Sequence, residues 1–341
     1  MDQTSVPILF IIFNRPDKTA RVFEAIRMAR PAKLFIAADG PRGEKIGEYE
    51  LCKKAREVTN KVDWPCDVKK RFQEKNLGCK INASTAVTWF FENVSEGIIL
   101  EDDCLPVASF FPYCRELLEH YRNSPQIMQI NGTNLFSPEK SVNPTYSYTF
   151  SRCPILWGWA TWRRAWQQYD ISMTHLDDLI NIPRTEALFS NEKYLKFLIK
   201  HCKHIRDKNV DTWDAQWQYT LMYNGGYAIT PYTNLVENIG FGPDATHTND
   251  SKYIGIPTTK LVTPLKHPPI IVADKRADAL LIKKLYMRSI VKKVTSRIHK
   301  YLSHKKISNI KLILTKIPVI NYFFNKVRLY IWRFDNTSDP R

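Results

Sequence analysis

Short apolar runs alternate with amphipathic stretches through the first 124 residues, and this alternation restricts the fold more than any other feature of the chain. Residues 6–13, VPILFIIF, are almost continuously apolar. Such a run fits a strand covered on both faces, as in a parallel sheet. The turn NRPDKT follows, and then TARVFEAIRMA, read as a helix with Val22, Phe23, Ile26 and Met28 inward. AKLFIAADGPRG supplies a second strand that stops at Asp39-Gly40-Pro41. This is a β-α-β unit, whose right-handed crossover brings both strand ends to one side. The pattern then repeats: helix LCKKAREVTNKV, strand CDVKKRFQ, helix within NLGCKINASTAVTWFFEN, strand EGIILEDD, helix within PVASFFPYCRELLEHYR. The expected class is α/β, a doubly wound sheet that binds ligands beyond the carboxyl ends of its strands.

Polar groups collect at those ends. Asn14-Arg15, Asp39 and Glu101-Asp102-Asp103 each follow an apolar run. Any one of them alone suits a turn or a helix cap; together they point to one crevice. Three adjacent carboxylates repel one another unless a proton, a separation or a cation intervenes. A divalent cation answers this, because Mg²⁺ and Mn²⁺ take hard oxygen ligands and share one or two carboxylates with substrate phosphates.

Residues 97–114, GIILEDDCLPVASFFPYC, resemble the metal-binding segment of GT-A-fold glycosyltransferases, specifically the N-acetylglucosaminyltransferase I-like group, in which EDD at a strand end precedes a P-x-F-F helix. ILFIIFNRPDKT and KLFIAADG are similar to that group's first nucleotide-binding strands. WGWATWRRAW is similar to a segment of bacterial surface-glycan sugar transferases, and TWDAQW to a Trp-Asp-x-x-Trp segment that carries the catalytic base. The resemblance covers residues 6–250. It implies a Rossmann-like, mixed GT-A sheet with Mn²⁺ or Mg²⁺ as cofactor. Arg15, Asp39 and Asp102 would contact the donor, Asp103 would hold the metal and Asp214 would be the base. Asn14, Lys80 and Glu101 join the donor-binding candidates. His247, in PDATHT, is a candidate second metal ligand, against the alternative of an exposed or structural histidine.

Inverting glycosyl transfer needs a base in reach of the acceptor hydroxyl and a stabiliser for the departing diphosphate. Asp214 lies between Trp213 and Ala215, apolar neighbours that would strengthen it as a base; Asp211, one turn earlier, is its rival. An acidic residue opening a helix also offsets the macrodipole, which is the plainer role for Asp214. Trp157 and Trp159 are candidates for a wall stacking on sugar faces, although large aromatics are also core material.

The formal net charge of +16 is carried by the end of the chain: no acidic residue stands between Asp278 and Asp335. The expected organisation is therefore a catalytic domain over residues 1–255, in halves 1–124 and 125–255, an extended linker over 256–282 and a basic amphipathic helical tail over 283–341. The near-neutral first 280 residues are not a nucleic-acid-binding body. In the tail Met287, Ile290, Val291, Val294, Ile298 and Tyr301 form one helical stripe, as in a helix lying on an anionic membrane. Packing on the catalytic domain is the alternative.

Seven cysteines without a C-x-x-C pair, and an N-terminus without a basic stretch before its apolar run, lead to an expected cytoplasmic location, peripheral on the membrane's inner face. The expected donor is a nucleotide-diphosphate sugar, UDP-linked, and the acceptor a glycan or lipid-linked glycan. Retaining transfer is the nearest alternative, followed by nucleotidyl transfer, which FNRPDKT disfavours by lacking a glycine, and by nucleic-acid binding through the tail. Deleting residues 283–341 is expected to release the protein from anionic liposomes in co-sedimentation while sparing donor hydrolysis; persistent sedimentation would refute the membrane role.

Overall fold

In the computed structural model residues 4–135, 145–181, 192–241, 256–282 and 284 are described. The chain divides into a unit spanning Met1–Tyr286 and one spanning Met287–Arg341; the second, with the basic tail, lies outside the described residues. The first 124 residues follow the expected alternation: β1 (Ile8–Ile12), α1 (Pro16–Ala29), β2 (Lys33–Ala38), α2 (Glu48–Val58), β3 (Asp67–Phe72), α3 (Cys79–Asn93), β4 (Glu96–Glu101), β5 (Cys104–Pro106) and α4 (Phe110–His120). Then come β6 (Ile127–Asn131), β7 (Tyr148–Ser151), β8 (Trp159–Trp162), α5 (Arg163–Trp166), α6 (Glu192–Asp207), α7 (Asp214–Tyr223), β9 (Tyr227–Pro231), β10 (Val236–Asn238) and α8 (Lys275–Ile282).

Eight strands form one mixed sheet in the order β3-β2-β1-β4-β8-β6-β9-β7. β3, β2, β1 and β4 run parallel, so Phe72, Ala38, Ile12 and Glu101 end on one edge; β8 pairs antiparallel to β4 and β6. The fold is a mixed α/β architecture consistent with the GT-A, Rossmann-like class. β1 is buried along its whole length, as its unbroken apolar run requires. A separate two-stranded sheet pairs β5 with β10, Cys104 opposite Asn238.

Local differences from the expectation have simple causes. Thr19, Val22, Phe23 and Ile26 are the buried residues of α1, whereas Met28 is 50% exposed. Two residues beyond Ile26 is about 200° around a helix, on the opposite face. Cys104–Pro106 forms a strand, and α4 starts only at Phe110.

Within 256–282 the chain runs without helix or strand, bending at 263–264 and 269–270, as far as Asp274 and is laced to the sheet unit. Leu261 N–H donates to Ser109 Oγ (3.0 Å) and Leu265 N–H to Glu116 Oε1 (2.9 Å). It then forms α8, capped by Asp274 Oδ1 accepting Arg276 N–H and Ala277 N–H. Ala277, Asp278, Leu281 and Ile282 are buried, so this segment is part of the folded body rather than a spacer.

Asp278 ties α8 to β7 by accepting from Ser151 Oγ and the Arg152 N–H. Burial pushes its carboxyl up to about 6, with Ser151 and Arg152 opposing the rise. The folded chain therefore holds this proton more tightly than the unfolded chain. Stability falls as pH rises from the unfolded carboxylate range through about 6. Asp278→Asn, which keeps an acceptor but cannot ionise, should flatten that part of the wild-type profile. Melting curves from pH 4 to 8 that remain parallel for the two proteins would rule this out.

Candidate active site

A cavity of about 410 Å³ opens at the carboxyl ends of β1, β2 and β4. Its lining includes Arg15, Asp39, Arg42, Asn82, Glu101, Asp102 and Asp103 from the first half of the chain, and Trp157, Asp211, Asp214, Asn238 and Gly240 from the second.

The acidic triplet is resolved by geometry. Along β4, Glu101 stands opposite Ile11 of β1; Asp102, the next residue, is 2% exposed. Asp102 Oδ1 pairs with Arg15 Nη2, and its Oδ2 accepts the Phe13 N–H at 3.2 Å. Arg15 Nη1 lies 3.1 Å from Asp103 Oδ2. Burial alone would discourage the charge on Arg15, but Asp102 and Asp103 outweigh it and hold the guanidinium charged. Burial raises the carboxyls of Glu101 and Asp102 above the usual range; neighbouring carboxylates add to this and Arg15 opposes it. Arg15, a cation of the chain itself, thus relieves part of the repulsion for which the sequence suggested a bound cation.

Asp39 is saturated from within. Its Oδ1 accepts the N–H groups of Gly40 (2.8 Å) and Leu77 (2.9 Å), and its Oδ2 accepts Gly78 N–H and Asn76 Nδ2, both at 3.1 Å. Here the carboxylate moulds the loop before α3. Asn14 is outside the lining; its Nδ2 donates to Glu48 Oε1 at 2.9 Å. Glu48 also accepts the Arg42 N–H and guanidinium, so Arg42 reaches the cavity wall on a fixed carboxylate. Arg42 is a site residue not foreseen from the sequence, where its signal is a basic residue three positions after the strand-end Asp39. Lys80 also lies outside the lining, its Nζ directed to Asn209 Oδ1 (3.4 Å).

The two candidate bases separate clearly. Asp211 caps α3: Cys79 N–H donates to its Oδ2 (2.9 Å) and Lys80 N–H to its Oδ1 (2.7 Å). Gly78, with φ +81, permits this approach, since a Cβ there would stand 2.8 Å from Asp211 Oδ2. Asp214 opens α7 and uses only Oδ1, which accepts Thr212 Oγ1 and its neighbour's N–H at Ala215. No described group bonds its Oδ2. Trp213 and Ala215 are buried while Asp214 is exposed, so the apolar surroundings expected from its sequence neighbours lie behind it.

The tryptophans divide likewise. Trp157 lines the cavity and meets Phe241 edge-on at 5.5 Å. Trp159 does not reach it; it is fully buried on β8 and stacks on Trp213 at 5.8 Å. Trp217 packs on Trp159 at 5.7 Å and on Trp166 at 5.1 Å, and donates Nε1–H to Gln129 Oε1. WGWATWRRAW and TWDAQW are thus two sides of one aromatic cluster that seats the loop carrying Asp214.

Among the described residues no group of three or more His, Cys, Asp or Glu side chains could hold a metal ion, and His247 lies outside the described residues. A cation completed by substrate phosphates needs less, one or two carboxylates. The residues present fit that case. Asp103 lines the cavity with its carboxylate packed against Gly240, an approach that only glycine allows, since a Cβ there would stand 2.1 Å from Asp103 Oδ2. Asn238 Oδ1 stands close by and accepts the Gly240 N–H at 2.8 Å, so Asp103 is the carboxylate this corner of the cavity offers. Ile239 N–H, donating to the Asp103 carbonyl at 2.8 Å, fixes that approach.

No family model matches this sequence, and no curated protein does. Among solved structures, the crystal structure of mouse xyloside xylosyltransferase 1 in its apo form is similar at 12% identity and a TM-score of 0.30, covering 64% of this chain and 81% of that one. A likeness of this size does not decide between functions. Also, among the described residues, no helix is long and apolar enough to cross a membrane.

Asp211→Ala should unseat the start of α3 from the loop before α7 and lower stability by about 1–2 kcal/mol, the usual cost of a lost helix cap. Chemical denaturation reads this directly; an unchanged midpoint would mean the cap carries no weight.

Proposed function

We propose that the protein is a glycosyltransferase that moves a sugar from a nucleotide diphosphate, UDP-linked, to a hydroxyl of a glycan or lipid-linked glycan, with inversion at the anomeric carbon. The observation that carries this reading is the meeting, in one cavity, of the Arg15–Asp102–Asp103 cluster with an exposed carboxylate, Asp214, that has an oxygen to spare.

Each group has a distinct task. Arg15, already charged and positioned, faces the diphosphate and favours its departure electrostatically. Arg42 stands in the same lining as a second cationic group. Asp214 accepts the proton of the acceptor hydroxyl as that oxygen attacks the anomeric carbon, while the bond to the nucleotide diphosphate breaks on the opposite face. Trp157 offers an apolar wall for a sugar face. Bound Mg²⁺ or Mn²⁺, held by Asp103 with Asn238 beside it, would neutralise charge on the leaving diphosphate. Asp102, sealed against Arg15 and the Phe13 N–H, fixes the guanidinium.

Asp214→Asn should leave donor binding intact and lower turnover by about a hundredfold or more, the usual contribution of a general base. In the same assay Asp103→Ala should abolish the additional thermal shift that UDP gives with Mn²⁺. Full turnover in Asp214→Asn removes the base; an undiminished Mn²⁺-dependent shift in Asp103→Ala removes the metal ligand.

A further inference from the structure

Asn82 is the one polar residue of the cavity lining whose position raises a question the steps above leave open. It sits one turn into α3 and is 5% exposed, and its Oδ1 is buried with no hydrogen-bond partner among the described residues. A buried amide left in this state loses its hydration without return, so such groups in native proteins mark a water, an ion or a ligand. The two ends of the amide exchange by a half-turn, so the group can offer either a donor or an acceptor.

Its neighbours indicate which part of a donor it would meet. Cys79, three residues earlier and on the same helical face, also lines the cavity. Asp211 accepts the N–H groups of Cys79 and Lys80 at the start of this helix, and the loop on which Asp211 stands leads straight to Asp214 in the same lining. The start of α3 therefore adjoins the loop of Asp214, whereas in the proposed reaction the diphosphate position is marked by Arg15 and Asp103. Between those two marks lies the sugar.

We infer that Asn82 reads the sugar of the donor, pairing its amide with a polar ring substituent, a hydroxyl or an acylamino group, near the carbon at which transfer occurs. The inference rests on the glycosyl-transfer reading. Asn82 acts in ground-state recognition and moves no proton.

The test uses the full chain and compares wild type with Asn82→Ala and with Asn82→Leu, which keeps the volume. Binding of UDP is measured beside UDP-glucose, UDP-galactose, UDP-N-acetylglucosamine, UDP-xylose, GDP-mannose and dTDP-rhamnose, each with Mn²⁺. Affinity of both variants for the best nucleotide sugar should fall about tenfold, the worth of one hydrogen bond. UDP affinity should hold, and the melting temperature of the free protein should not drop, since removing an unpaired amide costs the fold nothing. Equal losses for UDP and nucleotide sugar would place the contact on the nucleotide and overturn the inference. Unchanged sugar-nucleotide affinity, as expected if a buried water pairs with the amide, would also overturn it. A wild-type chain that binds none of the seven ligands would sink the functional reading and this inference together, which separates that failure from one confined to Asn82.

Discussion

The candidate site depends on one guanidinium held among three carboxylates. Arg15 leaves the end of β1 and meets Asp102 and Asp103 at the end of the adjacent parallel strand β4. Without it, the buried Asp102 would face the half-buried Asp103 unpaired, and an unpaired buried charge costs several kcal/mol. With it, the strand ends can carry charge into a crevice that is otherwise walled by the apolar sheet. In the proposed reaction an incoming diphosphate would meet a cation that is already positioned, so little reorganisation would be needed on binding.

The second half of the chain is attached to this centre by contacts of a different kind. Asp211 reaches across to the free N–H groups at the start of α3, and Gly78 lets it approach. Trp213, next to Asp214, stacks on Trp159 of β8, itself paired with β4. A polar clamp and an aromatic cluster thus fix the same short loop from two sides. Asp214 gains a defined position while its carboxylate keeps one oxygen unengaged. On the other rim, β10 pairs with β5 and brings Asn238 and Gly240 beside Asp103.

Several side chains named in the sequence as ligand contacts also hold the scaffold of the site together. Asp39 spends its acceptor capacity on the loop from Asn76 to Gly78; Asn14 supports Glu48, which orients Arg42; Trp159 is core. Each has the residue type that a ligand site uses, because the chemistry that binds a nucleotide also binds backbone N–H groups. Residue type alone does not separate the two uses.

What the sequence by itself determined is local and periodic. The β-α-β alternation, the strand ends and the grouping of Arg15, Asp39 and residues 101–103 were legible, because burial on both faces imposes continuous apolar runs and the parallel crossover aligns the strand ends. Where periodicity is the only guide, small phase errors appear, as at Met28. Only the tertiary structure decided that Arg15 spans two acids 87 and 88 residues away, that Asp211 is a cap while Asp214 stands open, and that Asn82 Oδ1 is buried without a partner among the described residues. Those outcomes depend on which remote groups arrive within about 3 Å of one another. Hydrogen bonds and ion pairs of that range are set by how the whole chain packs, and no local pattern records them.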